Sequence, residues 1–253
     1  MHLKSSLLVT LSAVFLAWTN LSFSESTAAT AEKLMDEEAK PWWSATLSAE
    51  YDSKYVFRGV NSLPGSGIAV VDFKLSAYDF SLDVWQAAGL RKAYDEVDFT
   101  FTCAHKFGAV TLSGGYINYY FPDDDGLELG YRDTQELFAA ASYEFASSFT
   151  ASLSYNSDFD KINGSYLELK LVDSIAIVKD KAGLDPYASL SYDFRYNSTT
   201  RALNNFQIGL NAPVSLGKHL SVAGFAALSI PLHGIADFAK REGWGGFTVT
   251  FAF

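Results

Sequence analysis

The sequence predicts an all-β protein, a single antiparallel transmembrane β-barrel of about 12 strands. Three observations predict it. Apolar and polar residues alternate with period two through nearly the whole chain after Ser44. The connections between the alternating segments are short and long by turns. A stretch built like a secretory signal peptide precedes them.

The chain begins MHLKSSLLVTLSAVFLAWTNLSFSES. Lys4 supplies a positive n-region, and residues 7–18 form an apolar h-region too short to span a bilayer. Ser22-Phe23-Ser24 offers a small-x-small cleavage pattern, and Ala29-Thr30-Ala31 offers a second. We expect residues 1–24 to be a signal peptide, with cleavage no later than residue 31. Residues 25–43 read as an acidic periplasmic tether, with a small plug as the alternative. Residues 44–253 read as the barrel.

The strands follow in order. ATLSAEYDSKYVFR sets Leu47, Ala49, Tyr51, Tyr55 and Phe57 against Glu50, Asp52, Lys54 and Arg58, which predicts a first strand over 45–58. Further alternating runs place strands at 68–78 and 81–89. EVDFTFTCAHKF alternates most sharply, with Val97, Phe99, Phe101, Cys103 and Phe107 on one face, and predicts 96–107. Strands at 109–120, 134–145 and 148–156 come next. YLELKL sets Leu167, Leu169 and Leu171 apart from Tyr166, Glu168 and Lys170 within 166–178. Strands at 185–196, 203–215, 219–230 and 244–253 complete the series. The short turns include Gly108 and Leu216-Gly217-Lys218. The long connections include GVNSLPGSG, FPDDDGLELGYRD and PLHGIADFAKREG. Short periplasmic turns opposite longer extracellular loops are the pattern of outer-membrane barrels. The turn at 179–184 is longer than its class predicts.

A soluble sandwich alternates too, with its apolar face inward. The export signal, the asymmetric turns and the aromatics at strand ends favour the membrane. Trp42, Trp43, Tyr78, Phe80, Phe107, Tyr119, Tyr120, Phe121, Phe145, Phe149 and Trp244 are expected to form interfacial girdles. The final GGFTVTFAF should pair with the first strand, because open edges are excluded from lipid. Its aromatic tail suits recognition by the barrel-insertion machinery of Gram-negative bacteria. The other expected partners are outer-membrane lipid, lipopolysaccharide and small solutes.

Composition excludes several classes. A formal net charge of -10 argues against nucleic acid. Mean hydropathy of +0.05 is too polar for a bundle of membrane helices. Cys103 is the only cysteine and cannot form an internal disulfide. The four histidines show no zinc or haem spacing, and no cofactor is expected.

Several segments share a resemblance. EYDSKYVFRGV (residues 50–60) resembles the first-strand motif of the TorF family of porin-like outer-membrane barrels. GGYINYYFPDDD resembles that family's Gly-Tyr-rich strand, and DTQELFAAASYEF resembles the strand after it. Trp85 in SLDVWQAAG also fits, while the residues after it depart from the pattern. The resemblance implies a small outer-membrane barrel assigned to porin activity. It brings no substrate and no catalytic residue.

Parity assigns the inward face. The candidate pore-lining residues are Glu50, Asp52, Lys54, Arg58, Asp72, Lys74, Asp83, Trp85, Glu96, Asp98, Glu136, Glu168 and Lys170. Lys106, Glu144, Asp193 and Arg195 share that parity. Charges facing lipid at mid-depth would cost about 2–4 kcal/mol for Arg or Lys, so they point inward. Two readings stand: a hydrated pore with a weak cation preference, or an ion-pair network that fills the lumen. Arg58 should lie at the extracellular mouth, held by Asp72 or by a loop acid such as Asp123, Asp124 or Asp125, or else reach the lipopolysaccharide phosphates. Those loop acids, with Glu128, could hold a divalent cation, but their spacing is not that of an EF-hand. His219 and Ser221 are the nearest approach to a nucleophile pair, and parity turns both inward at the periplasmic end. No enzyme motif appears. We therefore expect a porin-like passive channel for small hydrophilic solutes, its lumen of mixed charge and slightly acidic. A non-conducting structural barrel is the alternative, and an outer-membrane barrel enzyme the third.

Overall fold

The computed structural model describes residues 42–122, 133–146 and 148–253. The expected signal peptide and nearly all of the tether lie outside these residues, as do Asp123, Asp124, Asp125 and Glu128.

Twelve strands close into one antiparallel barrel. In chain order they are β1 (Trp43–Asp52), β4 (Ile68–Ala77), β5 (Phe80–Gly89), β6 (Asp95–Phe107), β7 (Val110–Tyr120), β8 (Thr134–Glu144), β9 (Phe149–Asp158), β10 (Ser165–Asp173), β12 (Ala182–Phe194), β13 (Arg201–Ser215), β14 (Leu220–Pro231) and β15 (Glu242–Ala252). Three short strands complete the numbering: β2 (Val56–Phe57), β3 (Val60–Asn61) and β11 (Ile175–Val178). Each barrel strand pairs with its sequence neighbours, and β1 closes the ring on β15 from Thr46↔Ala252 to Asp52↔Gly246. No strand edge is left for lipid, where an unpaired backbone group costs several kcal/mol.

The alternation becomes two surfaces. Outside stand Leu47, Val71, Phe73, Leu75, Leu82, Phe99, Phe101, Leu137, Leu153, Leu169, Leu171 and Leu210, all exposed. Inside, at the intervening positions, are Ser48, Asp72, Asp83, Asp98, Thr100, Glu136, Ser152, Ser154, Ser189 and Thr248, all buried. An apolar band outside and a polar wall inside is the inverse of a soluble sandwich and fits a hydrocarbon surround. The rim with short turns carries the exposed girdle of Trp42, Trp43, Tyr78, Phe80, Phe107, Phe145 and Phe149. Trp42 stacks on Tyr78, and Phe145 on Phe149.

Some expectations are corrected. Tyr119, Phe121 and Trp244 are not girdle residues, because they point into the barrel and are buried there. The run 166–178 is two strands. β10 ends at Asp173, and β11 forms a tight hairpin with β12 around Asp180, whose φ is 57°. The turn that looked too long shrinks to residues 179–181. The first strand stops at Asp52 rather than 58, and residues 53–67 fold into the lumen.

Cys103 faces outward between Phe101 and His105 and is exposed. A lipid-soluble thiol reagent should therefore label the reconstituted protein faster than a bulky charged one. The opposite order would mean that β6 is out of register by one residue.

Candidate functional site

Residues 53–67 form a strap across the interior at the long-loop end. Its core is the β2–β3 hairpin, with Phe57 opposite Val60. Arg58 and Gly59 make the turn with φ of 45° and 83°, the double left-handed geometry of a type I′ turn. Gly59 is required twice over. Its φ suits glycine, and a Cβ there would stand 2.7 Å from Cγ of Asn205. Arg58 holds a conformation that non-glycine residues adopt rarely, so its surroundings must fix it.

Those surroundings lie on the far wall. The Arg58 guanidinium donates to both carboxylate oxygens of Glu136 on β8, each at 2.7 Å. Its carbon lies 4.0 Å from the centre of the Tyr196 ring, 4.8 Å from Phe57 and 5.0 Å from Tyr166. The Arg58 carbonyl accepts from Nδ2 of Asn204 at 2.7 Å and from Nδ2 of Asn197 at 3.3 Å. Tyr119 donates to Glu136 as well, at 3.2 Å. A planar guanidinium meeting a carboxylate in a fork, between aromatic faces, is the geometry for which Arg is suited and Lys is not. Arg58 is thus neither at the end of a barrel strand nor paired with Asp72. Its side chain is 5% exposed, which also removes any contact with lipopolysaccharide.

The near half of the strap is anchored too. Ser53 exchanges hydrogen bonds with Gly245, and Lys54 reaches Glu242 at 2.6 Å. Tyr55 and Tyr94 both donate to Oε2 of Glu96. Burial and that neighbouring carboxylate push the Tyr94 phenol up, so it remains a donor. Tyr55 and Leu63 of the strap pack with Ile68, Val70, Trp85, Tyr94, Ile117, Tyr119, Phe121 and Phe138 of the wall and loops as an apolar cluster. Leu63 is fully buried, as a plug residue would be.

Three aromatic rings lie flat against the inner wall, each over a glycine. Phe138 covers Gly115, Tyr187 covers Gly209 and Phe225 covers Gly246. The absent side chains make room for the rings, which would otherwise project into the bore. Gln207 bonds the Tyr187 hydroxyl at 2.8 Å, and Lys170 Nζ sits 4.5 Å from the centre of its ring.

The remaining expected site residues fall as follows. Glu50 accepts from Thr248 across the β1–β15 seam at 2.7 Å, and Asp52 is half-buried beside it. Lys74 Nζ lies 3.9 Å from Asp83. Glu168 accepts from Ser189 at 3.1 Å. Lys106 pairs with Glu144 at 2.8 Å near the short-turn rim. Trp85 is inside but covered, its ring 6.2 Å from Tyr55. Arg195 is not inward, because it sits exposed just past β12, bridged to Ser165, with φ of 69°. His219 is not turned inward with Ser221. It is exposed against the ring of Phe251, while Ser221 is buried. That separation leaves them no nucleophile–base geometry.

The sequence reading missed the receiving end. Asn205 accepts from Tyr166, Ser191 and Asn204 and donates to Ser229 at 3.0 Å. Asp193 accepts the backbone N–H groups of Tyr196 and Asn197 and so positions the ring that stacks on Arg58. The signal available was Asn204-Asn205, two amides where one belongs on the lipid face. The register shift between Leu190 and Tyr192 turns both inward.

Below the strap the wall is polar and less complete. Ser81 Oγ, Thr100 Oγ1, Ser152 Oγ, Ser221 Oγ and both amide atoms of Asn211 are buried without a hydrogen-bond partner.

No family model and no curated protein matches the sequence. Solved structures do share its fold. A KdgM porin superposes with a TM-score of 0.58 at 8% identity, covering 82% of this chain and 99% of that one. A NanC porin gives 0.57 at 8% identity, over 82% and 98%. An outer-membrane channel from Pseudomonas putida F1 gives 0.55 at 12% identity, over 86% and 98%. The KdgM porin has also been solved in complex with disordered oligogalacturonate. At these identities the likeness is one of fold.

Proposed function

We propose that this barrel is a porin-like passive channel of the bacterial outer membrane, passing small hydrophilic solutes through a lumen narrowed by the 53–67 strap. The observation that carries the reading is Asn211. Its side chain is 2% exposed, points inward, and neither end of its amide has a partner. A buried amide left so would cost on the order of 1–3 kcal/mol unless water reached it. The unpartnered Thr100, Ser152 and Ser221 make the same demand around the wall. Water drawn into a polar interior below the strap would answer all of them.

The fold shared with small porins supports the reading, as does the TorF resemblance. Diffusion calls for no cofactor and no catalytic residue. The mixed-charge wall, with more acids than bases, gives a slight cation preference. It does not favour a polyanion such as the oligogalacturonate found with the KdgM porin. The export signal, a closing strand read by the insertion machinery, and a girdle set in lipid and lipopolysaccharide belong to the same proposal. A second reading, a non-conducting structural barrel, draws on the Arg58 fork, which seals rather than lines the lumen. Planar bilayers decide between them. Discrete conductance steps from purified protein are the expected result, and a silent membrane assigns the barrel a structural role.

A further inference from the structure

The outer surface carries an arc of cations at the long-loop end. Lys161 after β9, Arg195 after β12, Arg201 at the start of β13, and Lys240 and Arg241 before β15 are all exposed. Their strands are contiguous in the sheet, so the arc covers one side of the barrel. Of the acids beside them, Asp160 holds Lys161 at 2.9 Å, Glu242 is taken by Lys54, and Asp237 is exposed. Arg195 and Arg201 have no hydrogen-bond or ion-pair partner among the described residues.

The backbone sets these two arginines close together. Arg201 lies directly opposite Phe194, and Arg195 follows Phe194 in the chain. Their Cα atoms are therefore about 5–7 Å apart, within reach of one small anion for side chains this long. Arg195 holds a φ of 69°, which is rare for arginine, and its side chain contributes no bond to the turn. The backbone is fixed instead. Arg195 bridges to Ser165, Asp193 accepts the N–H groups of Tyr196 and Asn197, and a Cβ on Gly164 would overlap the Arg195 carbonyl. The turn thus sends Tyr196 inward onto Arg58 and leaves Arg195 on the surface. Beside the pair the outer face is aromatic and apolar. Phe194 packs on Tyr192 and Tyr155, and Tyr155 and Leu203 are exposed. Two guanidinium groups at the edge of a lipid-facing band match an amphiphile with a phosphate head and acyl chains. Guanidinium meets phosphate through paired N–H donors, and basic clusters at a membrane surface select anionic headgroups.

We infer that Arg195 and Arg201 form a binding site for a phosphate of lipid A, the phosphorylated acyl sugar of lipopolysaccharide. This rests on the outer-membrane placement in the reading above and not on conduction. The phosphate lies between the two guanidinium groups, and the acyl chains run over Phe194, Tyr155 and Leu203. Lys240 and Arg241 extend the same positive field along the rim.

The test is native mass spectrometry of the full-length folded protein in detergent, titrated with bisphosphorylated lipid A. Wild type should retain lipid A more tightly than its dephosphorylated form and than phosphatidylglycerol. Arg195→Gln and Arg201→Gln should each weaken that binding about tenfold, the lower end for a hydrogen bond between charged groups. Arg91→Gln removes an exposed charge on the connection between β5 and β6 and should keep wild-type binding. Heat-modifiable gel mobility checks folding, and if Arg195→Gln does not fold, Arg201→Gln carries the test. Unchanged binding in both arginine variants, or equal loss in Arg91→Gln, overturns the inference. Equal retention of phosphatidylglycerol, or full displacement by millimolar inorganic phosphate, overturns the assignment to lipid A. A barrel that conducts but shows no lipid A preference overturns this inference while the channel reading stands. A silent barrel that binds lipid A through the pair overturns that reading and leaves this one. Fractionation away from outer membranes overturns both.

Discussion

Replacing Arg58 with alanine should raise single-channel conductance severalfold and shift selectivity further towards cations. The substitution removes the fork that holds the strap to β8 and the cation that stacks between Tyr196 and Tyr166. The Asn197 and Asn204 contacts to the Arg58 carbonyl, and the packing of Phe57 on Tyr119 and Tyr196, would then hold the tip. The β2–β3 hairpin is too small to keep its shape alone. Glu136 would remain buried without its partner, a loss of about 3–5 kcal/mol. The double variant Arg58→Ala with Glu136→Gln separates the two effects. It should recover much of the stability and keep the high conductance. A wild type that is silent beside an Arg58→Ala that conducts would identify the fork as the seal. Conductance and selectivity both unchanged in Arg58→Ala would mean that the strap does not govern the bore.

Gly246→Val should largely abolish the folded barrel. Gly246 faces inward on β15 opposite Asp52, at the seam where the ring closes. A Cβ there would overlap the carbonyl of Tyr51, which is backbone and cannot turn aside. It would also press on the Phe225 ring at 2.7 Å and on Oδ1 of Asp52 at 2.8 Å. Overpacking of this kind costs about 1–3 kcal/mol where neighbours can yield, and here one of them cannot. The seam has no alternative pairing, since β4 and β14 already occupy the other edges of β1 and β15. The expected result is loss of the compact band on unheated gels. Gly243→Val, where a Cβ would meet nothing nearer than 3.9 Å, should keep that band. A Gly246→Val protein as heat-resistant as wild type would show that the seam tolerates a shift of strands.

Most of the barrel was legible because lipid outside and water inside enforce one period on every strand. β5, β6, β8 and β14 fall within one or two residues of their expected limits. The strap was not legible, and the reason is physical. Tyr55 and Phe57 continue the alternation of β1, but their apolar surroundings are the plug rather than lipid. Period two reports that a face is apolar, not which apolar phase it meets. Arg-Gly is also not a usual pair for a type I′ turn, so the hairpin had no local signature. Arg58 stood out because a charge beside Phe57 and Gly59 needs a partner. Its partner could not be read, because Glu136 lies 78 residues along the chain and on the far wall. The same holds for Asn204 and Asn205, whose common inward turn depends on an irregularity between β12 and β13.

The strap has a mechanical consequence. A ring of hydrogen-bonded strands resists stretching along its circumference but yields easily to flattening, since an oval and a circle have nearly the same perimeter. The segment that leaves β1 is fastened at its root to β15 through Ser53 and Gly245. At its tip it is fastened to β8 and β13 through Arg58. It therefore acts as a strut along one diameter. Squeezing that diameter would drive the Arg58 turn into Asn205, where Gly59 leaves no slack, and spreading it would pull the guanidinium from Glu136. The cross-section at this level is set by a chord of protein, and thermal ovalisation is confined to the unbraced half nearer the short turns.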